Sequence, residues 1–257
     1  MDRLIALQGV RNLRDFGGYE TRWGGRVVTR TLFRSAHFFE ASESDIAALN
    51  GLGIRLVCDL RRPEERTQYP SRWLCDPGRT ILSDDGAKAE PPHLAFLRTG
   101  NLAPAAVSGY MRGMYREIPY DQRYVTMFAD FIRALSEGET PALVHCAAGK
   151  DRTGIVCAMV LLALEVPKET VVEDYILTNE AVDLEGRLPK VLERFSQQVG
   201  TQLKRESVLP LLGVEESYLA AAMDSIEQKS GDVKTYLRDV LELDWTTLDR
   251  LRARLVK

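Results

Sequence analysis

The chain has 257 residues, 45% of them hydrophobic, with 34 Lys and Arg against 37 Asp and Glu and a formal net charge of −3. That length and apolar share can bury a full core as one large domain, and the near-balanced charge gives no bulk attraction to nucleic acid. No apolar run approaches the roughly 18 residues that a membrane span needs, and the start, M-D-R-L-I-A-L-Q-G, lacks an apolar stretch of signal-peptide length.

In residues 8–35 the pairs Gly17-Gly18 and Gly24-Gly25 signal turns. Arg26-Val-Val and Thr31-Leu-Phe predict short strands, so residues 1–40 read as a β-rich N-terminal flap. Within it Asn12, Arg14, Asp15 and Arg34 read first as a structural ion-pair network. Ser42 to Leu49 predicts a short helix, with Ser42 as N-cap, Asp45 three residues on and Gly51 as the stop. Ile54 to Cys58 is the next strand, and its end lies where open α/β sheets form a ligand crevice. Asp59, Arg61 and Glu64 or Glu65 read there as an ion-pair cluster serving as scaffold, with Arg61 also a candidate for substrate contact.

Thr80 to Leu82 predicts a third strand, followed by the polar turn Ser83-Asp84-Asp85-Gly86. Val107, Tyr110, Met111, Met114 and Tyr115 fall at helical spacing and read as core. Arg123 to Ser136 predicts an amphipathic helix that buries Tyr124, Val125, Phe128, Phe131, Ile132 and Leu135 and stops at Gly138. It leads into P-A-L-V-H-C-A-A-G-K-D-R-T-G, Pro141 to Gly154, as a right-handed crossover would.

This stretch organises the chain. Ala142-Leu-Val is a buried strand, and Ile155 to Leu164 is a buried helix, apolar all round. Strand, small-residue loop and helix together place backbone N–H groups and a helix N-terminus around one point, which makes an anion site. Cys146 opens the loop. A thiol is a nucleophile only as thiolate, which a helix N-terminus and the cations Lys150 and Arg152 favour. Ala147, Ala148 and Gly149 carry little or no side chain, so their amides can close on an oxyanion. Arg152 can offer a planar fork to two phosphate oxygens. Thr153 can donate its hydroxyl to the sulfur, and His145 reads as a brace for the loop rather than a base. Cys58 and Cys157 read as packing residues and Cys75 as inert. The cysteine spacing fits neither a zinc site nor a disulfide framework, so a reducing cytoplasm is the expected setting.

C-A-A-G-K-D-R-T-G resembles the C-x5-R-[ST] signature of cysteine-dependent tyrosine and dual-specificity phosphatases, and the flanking His145 and Gly154 fit it. N-L-R-D-F-G-G-Y, L-F-R-S-A, D-L-R-x-x-x-E and V-E-E-S-Y-L-A-A-A-M resemble the PtpB/LipA-like branch of that superfamily, over nearly the whole chain. The resemblance implies an α/β fold, a mostly parallel central sheet flanked by helices, with a helical C-terminal extension. It implies a single phosphatase domain over 1–257, with residues 184–212 as a helical lid and 214–257 as C-terminal helices. It also places the N-terminal motif beside the active-site face. The implied reaction is phosphomonoester hydrolysis through a cysteinyl-phosphate, with no metal and no cofactor, on a phosphoprotein or phosphoinositide.

The reaction needs a general acid for the leaving oxygen. The resemblance places an aspartate on a loop before the phosphate loop, where Asp84 and Asp85 lie; Asp151 inside the loop is the alternative. Phosphotyrosine is the favoured substrate, with dual specificity as an extension. Lys150 adds a cation suited to a second phosphate, and C-x-x-G-K-x-R also resembles inositol-lipid phosphatases, although Ala147 stands where those carry a further lysine. A phosphate-binding module without turnover and a sulfurtransferase remain as readings from other classes.

Overall fold

The computed structural model describes residues 3–73, 78–86, 95, 96, 98 and 102–257. Its sheet takes β1 (Arg14–Asp15), β2 (Leu32–Ser35), β3 (Leu56–Asp59), β4 (Thr80–Ser83) and β5 (Ala142–His145) in the order β1-β2-β5-β3-β4. The pairings β2–β5, β5–β3 and β3–β4 are parallel, and only the short β1 runs antiparallel. The expected α/β fold with a mostly parallel sheet is the one observed.

β5 lies in the middle of this sheet because it is apolar on both faces. Ala142 and Val144 join one core and Leu143 the other, while Leu56 and Cys58 of β3 divide from Val57 in the same way. The smaller core seats α1 (Glu43–Gly51) through Leu49 and the N-terminal segment through Val10 and Leu13. The capping box is present: Ser42 Oγ accepts from the Asp45 N–H, and Asp45 accepts from the Ser42 N–H at 3.0 Å. Asp45 also receives the N–H groups of Gln8 and Gly9, which ties the N-terminus to this helix.

The larger core lies under α4 (Gln122–Glu137) and α5 (Asp151–Ala163). α5 is buried on nearly every side, as its apolar sequence predicts, and α4 is capped by Asp121 and ends at Gly138 in the left-handed conformation. α2 (Pro63–Gln68) follows β3, and α3 (Pro104–Glu117) precedes α4. After α5 come α6 (Lys168–Ile176), α7 (Thr178–Ala181), α8 (Leu184–Val199) and α9 (Arg205–Leu212). The chain closes with α10 (Glu216–Ser230), α11 (Val233–Asp239) and α12 (Trp245–Leu255).

The N-terminal segment corrects the picture of a flap. Leu32–Ser35 is an inner strand of the main sheet, hydrogen-bonded between β1 and β5. Its four residues are all buried, which an appended flap would not allow. Arg26 to Val28 forms only isolated bridges, Glu20 with Arg26 and Val27 with Val256, so it meets the chain's far end rather than a strand of its own. Cys75 and the segment 87–94 fall outside the described residues. Cys58 and Cys157 are fully buried in the larger core.

Candidate active site

β5 ends at His145, α5 begins at Asp151, and Cys146 to Lys150 close the gap between them. Gly149 has φ +67°, and a Cβ there would sit 2.2 Å from the Ser35 carbonyl oxygen. Only glycine lets the loop press onto the end of β2 in this way. Cys146 is buried at the base of the loop. The N–H groups of Ala148, Gly149 and Lys150 donate to no protein acceptor among the described residues, so they are free to meet an anion. The N-terminus of α5 adds its partial positive charge at the same point. The Thr153 hydroxyl is buried in that first turn, without a hydrogen-bond partner among the described residues.

Arg152 is held by Glu65 of α2. Its NH1 lies 2.6 Å from Oε2 and its NH2 2.8 Å from Oε1, and NH1 also donates to the Leu60 carbonyl. This two-point clamp sets the plane of the guanidinium. Burial alone would raise the Glu65 carboxyl, but the charge and hydrogen bonds of Arg152, with the Arg62 N–H, together outweigh it and hold the group at about 2. Glu65 also accepts from the Arg62 N–H at 2.8 Å, so the start of α2 fixes the carboxylate in turn. The clamp was hidden in the cluster read as scaffold. The signal available in sequence was the glutamate in the first turn of a helix after a sheet strand, and nothing in the spacing joined it to residue 152. Arg61 is buried on Asp59 and the Tyr69 carbonyl, which makes it scaffold rather than a substrate contact.

His145 is fully buried, with Nε2 3.6 Å from Asp59 and its ring edge-on to Phe38. Burial lowers its pKa to about 4 despite Asp59, so the ring is neutral at physiological pH. Lys150 is 3% exposed. Its amine donates to the carbonyls of Leu211 and, at 3.0 Å, Gly213, at the end of α9. The cation expected to meet a second phosphate is thus turned into the protein.

The three candidate acids are placed differently. Asp84 pairs with Arg123 at 2.7 Å, and Asp85 with Arg66 at 2.7 Å, its side chain 88% exposed. Asp151 sits in the first turn of α5, where its Oδ1 accepts from the Tyr115 hydroxyl at 2.7 Å. That hydroxyl also contacts Tyr175 at 2.6 Å.

A buried cysteine, loop amides with no protein acceptor among the described residues and a clamped arginine thus come together at the end of a parallel sheet. Residues 5–257 match the Tyrosine phosphatase family. A Cupriavidus necator protein carrying a tyrosine-protein phosphatase name is 32% identical over 246 residues, covering 93% of this chain and 85% of that one. The triple specificity protein phosphatase PtpB of Mycobacterium tuberculosis is 30% identical over 279 residues, covering 97% of this chain and 98% of that one. The solved structure of P. aeruginosa TpbA covers 77% of this chain and 90% of its own, at 19% identity and a TM-score of 0.31. This chain belongs to the tyrosine phosphatase family, and its activity class is that of a phosphoric monoester hydrolase.

The clamp has a testable pH signature. Glu65 titrates below its ordinary value of 4.5, so the stabilisation is complete above about pH 4.5 and is lost as pH falls toward 2. In Glu65→Gln this acid-side loss disappears from urea-unfolding profiles. With the arginine fork released, kcat/KM on para-nitrophenyl phosphate falls on the order of 10–100-fold. An unchanged kcat/KM would show that the clamp does not position Arg152.

Proposed function

We propose that this chain hydrolyses phosphomonoesters of protein side chains, phosphotyrosine first, through a phosphorylated Cys146. The observation that carries this reading is the loop at Gly149, whose amides meet no protein acceptor among the described residues and which joins the buried Cys146 to the clamped Arg152. The Cys146 thiolate attacks phosphorus, and the bond from phosphorus to the leaving oxygen breaks. The amides of the loop and Arg152 hold the equatorial oxygens as charge builds on them. The Thr153 hydroxyl, without a hydrogen-bond partner among the described residues, is assigned to donate to the sulfur when it leaves. Water then displaces the cysteine, giving inorganic phosphate and a regenerated thiolate.

Asp151 is the favoured proton donor to the leaving oxygen, and the base for the water in the second step. It directly follows the loop, in the first turn of α5, and its Oδ1 accepts from the Tyr115 hydroxyl. Asp84 and Asp85 are held at 2.7 Å by Arg123 and Arg66, closer than Asp151 is to Lys150 at 3.6 Å, and either close pair would have to break before the carboxyl could serve. The name of the M. tuberculosis relative supports activity beyond tyrosine. The phosphoinositide reading ranks second, because Lys150 is engaged with Gly213.

A leaving-group comparison decides the acid. Asp151→Asn loses about 10²–10⁴-fold in kcat on phenyl phosphate, whose leaving group needs a proton, and much less on para-nitrophenyl phosphate. Asp84→Asn and Asp85→Asn stay within a few-fold on both. The reverse pattern would move the acid back to the earlier loop. A panel of phosphotyrosine, phosphoserine and phosphothreonine peptides beside phosphoinositides ranks the substrates.

Residues 184–212 are proposed as a lid. α8 and α9 share a small core of their own, Leu188, Val191, Phe195, Leu203 and Val208. Just beyond the segment, Val214 is held by Asn179 through both its N–H and its C=O. Replacing 184–212 by a short glycine linker raises turnover of bulky phosphopeptides relative to para-nitrophenyl phosphate. An equal fall on both, with loss of the folded signal, would count against a lid.

A further inference from the structure

The N-terminal motif reaches the site from below. Asn12 Nδ2 donates to the carbonyls of Ala148, at 3.2 Å, and Gly149, at 2.7 Å. Arg34 NH2 donates to the same Gly149 carbonyl at 2.9 Å. Each donor is itself fixed from behind. Arg34 NH1 pairs with Asp174 at 3.0 Å, and Arg14 contacts Asn12 Oδ1, the Asp174 carbonyl and Thr178. All four side chains, Asn12, Arg14, Arg34 and Asp174, are buried.

A trans peptide unit is planar, and its C=O and N–H point in opposite directions. Pulling the Ala148 carbonyl down therefore turns the Gly149 N–H up, and pulling the Gly149 carbonyl down turns the Lys150 N–H up. Those are amides that find no protein acceptor among the described residues. The trio Arg14, Arg34 and Asp174 also carries one more formal positive charge than negative beneath the loop.

We propose that Asn12 and Arg34, backed by Arg14 and Asp174, are positioning residues that aim the Gly149 and Lys150 amides at the bound oxyanion. The bracket thus acts on the transferred phosphoryl group without touching it. It deepens the phosphatase reading above and rests on it.

Two variants separate aiming from mere folding. Asn12→Asp keeps the shape and tolerates the left-handed backbone at φ 58°, but it has no N–H to donate. Arg34→Lys keeps the charge and loses the fork. Vanadate affinity, the kcat and KM of para-nitrophenyl phosphate hydrolysis, and thermal midpoint are measured for both beside the wild type. Each variant binds vanadate on the order of 10–100-fold more weakly and loses kcat, as when an oxyanion donor is misdirected, while the folded fraction at assay temperature stays that of the wild type. Lowered thermal midpoints with vanadate affinity within twofold of wild type would overturn the proposal and leave the bracket as scaffold. A wild type that neither binds vanadate nor turns over would instead remove the phosphatase reading on which the bracket depends.

Discussion

The close approach of Gly149 to the end of β2 is the constraint on which the site depends. No side chain fits between that residue and the Ser35 carbonyl. The loop from Cys146 to Lys150 is therefore held against the end of the sheet at this point. The parallel register supplies the other half of the constraint. β5 lies between β2 and β3, with Ser35 and Asp59 both opposite His145, so the last residue of β5 cannot shift. The nucleophile follows it directly.

Around this loop the molecule keeps several charges away from water. Arg14, Arg34 and Arg61 are among the largest fully buried side chains. Burying a cation is unfavourable unless it is paired, and removing one partner of such a pair costs about 3–5 kcal/mol. Hydrophobic residues would fill the same space with less risk. They could not hold backbone carbonyls, however, and the carbonyls of Gly149, Leu60 and Tyr69 are what these arginines and Arg152 hold. Buried polarity here sets geometry, with the Glu65 fork and the Asp174 pair as its anchors.

Much of this was legible in the sequence where cause and effect lie close along the chain. Strand, loop and helix around Cys146 follow from apolar runs on either side of a small-residue turn, and the capping box of α1 from Ser42 and Asp45. What the sequence hid is pairing across distance. Glu65 meets Arg152, and Asn12 and Arg34 meet Gly149, only because the pairing of β1, β2, β3 and β5 brings their ends together. Lys150 looked like a ligand for a second phosphate because its neighbours in sequence are the phosphate loop. Its neighbours in space include the end of α9, which takes its amine. The N-terminal segment looked like a flap because β2 is only four residues long, and a short strand shows its place in a sheet only through its partners.

The central claim is that the sulfur of Cys146 carries the phosphoryl group between two substitutions at phosphorus. Rapid-quench mass spectrometry during turnover of para-nitrophenyl phosphate tests it directly. The account predicts a transient phosphoryl adduct on the peptide containing Cys146, formed at the rate of the nitrophenolate burst and absent from Cys146→Ala. Steady hydrolysis with no adduct on that peptide, or turnover that survives in Cys146→Ala, would contradict it.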